Sequence, residues 1–249
     1  MRFLKLFYFC LAVISLSFIS AETFKASQKK HSRVQLAYSE KENNLKEIYK
    51  QKKVNFATQQ ILLRAFKSEK ELELWARSNS SEKFTLIKTY PICSSSGTLG
   101  PKRKEGDGQV PEGYYHIDRF NPQSSFYLSM GINYPNTSDK ILGNAKPGDN
   151  IFIHGSCVTI GCIPLTDNLI KEIYIIGIEA RNNGQSKIPI HMFPFKMNEE
   201  NFAKQKKICS LDNGLIKFWE NIKPGYDYFE KNKTLPNVSI EQNGKYKIY

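Results

Sequence analysis

The nine residues from His154 to Cys162, His-Gly-Ser-Cys-Val-Thr-Ile-Gly-Cys, place one imidazole and two thiols within reach of one another. A thiol attacks a carbonyl only as its thiolate, and a neighbouring imidazole that takes the proton makes that form accessible. Cys162 stands shortly before Thr166-Asp167, a helix-capping pair. The backbone N–H groups of Gly161 and Cys162 are therefore candidates for holding an oxyanion. His154 ends an apolar stretch, Ile151-Phe152-Ile153, that reads as a buried strand. Its ring needs an acceptor to orient it, and the Gly155 carbonyl is at hand. The same residues admit other readings. His154, Cys157 and Cys162, with His191 as a fourth donor, could ligate a metal. Cys157 and Cys162 could form a disulfide. All of them could be packed without chemistry.

Positioning these groups requires elements on both sides. Gln60–Phe66, Glu71–Ala76, Lys83–Tyr90, Tyr114–Ile117 and Phe126–Ser129 read as successive strands joined by turns, and Ile188–Phe193 as a later one. Residues 33–51 carry apolar side chains at helical spacing, with Asn43-Asn44 as a potential break. Leu169, Ile170, Ile173 and Tyr174 form one helical face after Thr166, and Leu215, Phe218, Trp219 and Ile222 form another, ended by Pro224-Gly225. Residues 94–113 are rich in Ser, Gly and Pro and read as a long surface loop.

The N-terminus bears on where such chemistry would occur. Arg2 and Lys5 precede an apolar run over 6–19, followed by Ser20-Ala21. That is the arrangement of a secretory signal over 1–21, and the run is short for a membrane span. Residues 22–32, polar and basic, read as flexible. Export would leave Cys93, Cys157, Cys162 and Cys209 in an oxidising compartment. A nucleophilic Cys162 would then have to stay reduced, leaving at most one bridge among the others. Cys157 is a candidate regulatory partner that could lock Cys162 reversibly. The chain has 249 residues, 40% hydrophobic and 24% charged, with a formal charge of +12. This composition belongs to a folded protein with an anionic partner. Export argues against nucleic acid and for an anionic wall polymer.

The stretch resembles the signature of L,D-transpeptidases with a YkuD-type domain, in which a strand-end His-Gly precedes a [Ser/Thr]-x-Gly-Cys element. Here these are His154-Gly155 and Thr159-Ile160-Gly161-Cys162. The YafK-like murein branch is similar over further blocks: 99–102, 106–115, 188–195, 225–227 and 244–246. Two departures stand out. The second His of the broader family is replaced by Ile160, and its Arg or Asn after the Cys gives way to Pro164 and Leu165.

The resemblance implies a mainly β, β-rich α+β fold: one antiparallel β domain over 51–249 with short flanking helices, after a partly helical segment over 22–50. It implies that Cys162 attacks an L,D peptide bond of a peptidoglycan stem peptide, with His154 as base, through an acyl-enzyme. An amine acceptor then gives cross-linking, and water gives hydrolysis. Gly155 and Gly161 would orient or hold the oxyanion, with Cys157, Thr159 and His191 as auxiliary residues. Lys102, Arg103, Gln109 and Glu112 would meet the substrate. No cofactor, metal or nucleic acid is implied, and the protein would work in the periplasm or cell envelope. A catalytically idle wall-binding module is the reading from another class.

Overall fold

The computed structural model describes residues 22–249, so the expected secretion signal lies outside the described residues. The chain opens with α1 (Phe24–Gln28), whose first turn is capped by the Thr23 hydroxyl. The Phe24 ring packs edge-on against Phe120, with the Arg181 guanidinium over its face. Residues 22–32 are thus docked on the domain instead of flexible. Helix α2 (Ser32–Gln51) buries Val34, Ala37, Tyr38, Leu45 and Tyr49 along one face. It runs unbroken through Asn43-Asn44 because both asparagines point to solvent.

The centre is an eight-stranded sheet built from β1 (Gln60–Phe66), β2 (Glu71–Arg77), β3 (Thr85–Pro91), β4 (Gly113–Asn121), β5 (Ser129–Ile132), β6 (Phe152–His154), β7 (Ile163–Pro164) and β8 (Ile188–Phe193). Their order is β3-β2-β1-β8-β4-β5-β6-β7. The fold is β-based, as expected, and most pairings are antiparallel. Two are parallel, β1 with β8, whose connection includes α3 and α4, and β6 with β7, joined by the irregular loop 155–162. The 126–129 segment is not a strand throughout. Tyr127 has φ +70°, and the strand starts at Ser129.

Short helix α3 (Thr137–Leu142) follows β5, and α4 (Asp167–Asn182) follows β7. Helix α5 (Glu199–Ile208) and the long α6 (Asn213–Asn232) follow β8, and a small hairpin of β9 (Val238–Ile240) and β10 (Tyr246–Ile248) closes the chain. Helices α2, α4 and α6 stand where the sequence placed them, with α4 and α6 longer than expected, whereas α1, α3 and α5 were not expected. Helix α6 carries Pro224 on an exposed face and continues past it.

Strand β1 is mostly apolar and does not alternate, because both its faces are covered; its one charge, Arg64, is buried and paired with Glu73 and Glu230. Ile61, Leu63 and Ala65 join a core that also holds residues of α2 and α4. Phe66, with Phe193, Trp219 and Tyr226, belongs to a second core against α6. Helix α4 is buried nearly all round, and its acids are paired. Glu172 takes Lys88 and the Tyr90 hydroxyl, and Glu179 takes Lys25 and the Tyr38 hydroxyl.

Candidate active site

His154 and Cys162 meet through strand register. Strands β6 and β7 run parallel with Ile153 opposite Ile163 and His154 opposite Pro164. Alternation sends Ile153 and Ile163 into the core with α4, so the side chains before and after them leave on the other face. Cys162, His154 and Phe152 accordingly line one cleft of about 570 Å³, together with Ser124, Phe126 and Asn150.

The imidazole is fixed by its partners. Its Nδ1 lies 2.5 Å from the Gly155 carbonyl. A carbonyl only accepts, so Nδ1 carries the proton and Nε2 keeps a lone pair. The Phe126 ring covers the imidazole at 4.7 Å between centroids. The turn after His154 is clamped by Asp167, the first residue of α4, whose carboxylate accepts from the Ser156 N–H at 2.8 Å. A Cβ on Gly155 would meet that carboxylate at 2.6 Å and the Phe126 carbonyl at 2.9 Å, so this position has no room for a side chain. Ser156 adopts φ +62° in the same turn.

Cys162 sits on a second turn, knotted by Thr159. The Thr159 Oγ1 accepts from the N–H of Gly161 at 3.1 Å and of Cys162 at 2.8 Å, and donates to the Cys162 carbonyl at 2.9 Å. This corrects the expectation that these two amides stand free for an oxyanion. The helix-terminus argument fails as well, because β7 separates Cys162 from α4, whose first turn instead engages the Ser156 amide through Asp167. The Cys162 Sγ lies 3.7 Å from the Asn150 carbonyl. Gly161 has φ +136°, and a Cβ there would press on the Gln109 carbonyl at 3.0 Å, so the 94–113 loop lies directly against the residue before the thiol.

Burial raises the Cys162 pKa, opposed by the Phe152 N–H and the charge of Lys102. Burial lowers the His154 pKa, opposed by its bond to Gly155. Both shifts favour a neutral thiol beside a neutral imidazole over a pre-formed ion pair. Because the thiolate is the reactive form and its fraction grows with pH, alkylation of Cys162 by iodoacetamide should rise about tenfold per pH unit through neutrality and keep rising past pH 9. A plateau already reached below pH 7, followed by labelling and mass spectrometry, would show a pre-formed thiolate and contradict this.

Cys157 is bridged to Cys93, with Cα atoms 5.5 Å apart, while Cys162 and Cys209 are free thiols. The expectation of Cys157 as a reversible partner for Cys162 is corrected: its sulfur is engaged with the chain beyond β3. The bridge ties the turn between His154 and Cys162 to the rest of the sheet. It spans 64 residues, so the Cys93→Ser variant should be about 2–4 kcal/mol less stable to chemical denaturation. Labelling should find Cys162 modified equally with and without reductant, and Cys157 only after reduction.

His191 is also removed from the site. It lies on β8, with β4 and β5 between it and β6, and its neighbour Met192 takes the face that lines a cavity beside Cys162. The His191 ring is packed on Tyr114, and its pKa is pushed down to about 3 by burial and by Arg64. With Cys157 bridged and His191 distant, the four donors of the metal reading do not come together. Lys102 and Glu112 are buried, which corrects their expected role as substrate contacts. Lys102 binds Asp107 and the Lys104 carbonyl. Glu112 receives Lys67, the Gly100 N–H and the Trp219 indole. Both hold the 94–113 loop in shape. Arg103 pairs with Asp139, and the Gln109 amide bonds to Thr98; both also reach a second cleft. Sequence reasoning missed Phe126 and Asn150, which carry no motif. It assigned Asp167 to the helix cap alone.

Comparison with known proteins completes the description. The L,D-transpeptidase catalytic domain model, YkuD, matches residues 63–176, a span that holds both His154 and Cys162. The protein YafK of Escherichia coli (strain K12), which carries an L,D-transpeptidase name, is 37% identical over 190 residues, covering 76% of this chain and 73% of that protein. The chain belongs to the L,D-transpeptidase family. The YafK protein of Escherichia coli O157:H7 matches this L,D-transpeptidase to the same extent. Among solved structures, the helical cell shape determining protein Pgp2 of Campylobacter jejuni is 20% identical, covers 79% of each chain and gives a TM-score of 0.45. Bd1075 of Bdellovibrio bacteriovorus is 19% identical over 76% of this chain and 79% of its own, with a TM-score of 0.41. The family assignment rests on the sequence match and not on these structural likenesses.

Proposed function

We propose that this L,D-transpeptidase is exported, with 1–21 as its signal and 51–249 as its catalytic domain, and that it acts on peptidoglycan stem peptides through a Cys162 acyl-enzyme. The observation that carries the reading is the shared cleft of Cys162 and His154, with the imidazole held as the tautomer that can accept a proton at Nε2. His154 removes the thiol proton as Sγ attacks the carbonyl of the L,D bond, and the tetrahedral adduct collapses as the protonated imidazole gives that proton to the leaving amine. A second amine, deprotonated by His154, attacks the thioester and gives a new cross-link; water in its place gives a free carboxylate.

The Cys162 thiol also borders a second cavity of about 240 Å³, lined by Lys67, Lys70, Ser94, Ser95 and Met192. A nucleophile open on two sides suits a reaction in which donor and acceptor approach separately. The strong positive charge of the chain suits a carboxylate-bearing wall polymer.

Mass spectrometry of muropeptides after incubation with purified protein tests this. Expected are new L,D cross-links or trimmed stems, absent with Cys162→Ala. Equal profiles for the two proteins would leave only the wall-binding reading. Cross-linked products identify a transpeptidase, and trimmed stems alone identify an L,D-peptidase.

A further inference from the structure

A separate cleft of about 540 Å³ opens beside the catalytic one, and no step of the chemistry uses it. Its floor is apolar: Leu99, Leu215 and the ring of Phe218, on which the Arg103 guanidinium stacks at 5.0 Å. Its rim carries Lys217 and Lys245, both exposed and neither paired with an acid among the described residues. Asp212 is the acid in the lining, and its carboxylate accepts the Leu215 N–H at the start of α6. Arg103 is already neutralised by the buried Asp139.

The cleft is continuous with the site. Leu99 lines both it and the cavity next to Cys162. Gln109 reaches into it, while the carbonyl of the same residue bears on Gly161. The ridge between the two spaces is anchored from below. Lys67 donates to the carbonyls of Gly100 and Val110, and Glu112 receives the Gly100 amide. A ligand too long for the catalytic cleft would therefore pass over Leu99 onto a rigid platform of Phe218 flanked by two free ammonium groups.

We infer that this cleft is a second binding site for the wall polymer, holding a carboxylate-bearing glycopeptide portion that does not react. Sugar faces or aliphatic stem side chains lie on Phe218 and Leu215, and peptide carboxylates meet Lys217 and Lys245. The inference rests on the proposed action on stem peptides for its catalytic consequence, and on charge and shape alone for binding.

The test uses the full mature chain with Lys217→Glu and Lys245→Glu combined. A Lys50→Glu, Lys52→Glu protein, altered on and beside α2, matches its change in net charge. A Lys217→Arg, Lys245→Arg protein keeps the charge at the cleft. Binding is read by co-sedimentation with insoluble sacculi in the Cys162→Ala background, and activity by kcat/KM on sacculi against a soluble disaccharide-peptide monomer. The reversal should weaken sedimentation about tenfold, with the loss shrinking in high salt. It should lower the ratio of kcat/KM for polymer over monomer by a similar factor through KM. The Arg pair and the α2 control should behave as wild type. Equal loss in the α2 control would reduce the effect to net charge, and unchanged sedimentation in the reversed protein would overturn the site. Sedimentation needs no turnover, so the second site can stand or fall separately from the proposed reaction.

Discussion

The Cys162→Ala protein should fold normally and lose turnover of stem peptides by at least about 10³-fold. In the proposed reaction the thiol is the group that forms the bond to the substrate. The other polar side chains lining the cleft, Ser124, Ser125, Ser129, Thr159, Asn121 and Asn150, are hydroxyls and amides, far weaker nucleophiles at neutral pH than a thiol. The structural cost is small, because Cys162 is only partly buried and its Sγ makes a long contact with the Asn150 carbonyl. His154→Ala should lose less, since a thiolate can still form slowly without its base, and raising the pH should recover part of its rate. The checks are initial rates by chromatography of muropeptides and a melting curve for each variant. Retained turnover in Cys162→Ala with an intact fold would remove the mechanism altogether.

Glu112→Leu should destabilise the protein by about 3–5 kcal/mol, the cost of leaving a buried charge without its partner. Glu112 is fully buried, and Lys67 nearly so. Removing the carboxylate strands the ammonium and leaves the Gly100 amide and the Trp219 indole without acceptors. Lys67→Met alone should cost a similar amount for the opposite reason. The double variant Lys67→Met, Glu112→Leu should recover the part of the loss due to the stranded charge, while the Gly100 amide and the Trp219 indole still lack their acceptor. A double-mutant cycle by chemical denaturation measures the coupling, and additive losses would show that the pair does not act as a unit. The single variants should also turn over more slowly, because the 94–113 loop that this pair anchors lies against Gly161.

The candidate site was legible in the sequence because its reactive side chains stand at short spacing along the chain. His154, Cys162 and the Gly155 carbonyl are local to one another, and the Thr166 cap marks the start of α4 by the same short-range logic. The helical faces of α2 and α6 were legible because one-sided burial imposes a period on the chain. What the sequence could not settle were the partners supplied from far along it. The Cys93–Cys157 bridge joins residues that no spacing relates, so the sequence offered only the nearby Cys162 as a candidate partner, beside a simply packed Cys157. Lys102 and Glu112 looked like substrate contacts because charge normally stays in water, whereas here Lys67 just after β1 and partners from α6 and the 94–113 loop compensate it. His191 resembled a site residue until alternation along β8 turned it onto the face covered by α6. The Gly161 and Cys162 amides looked free because nothing in a linear motif reveals that the Thr159 hydroxyl folds back on them. Tertiary structure decided each of these, since burial and sheet face are set by which strands become neighbours.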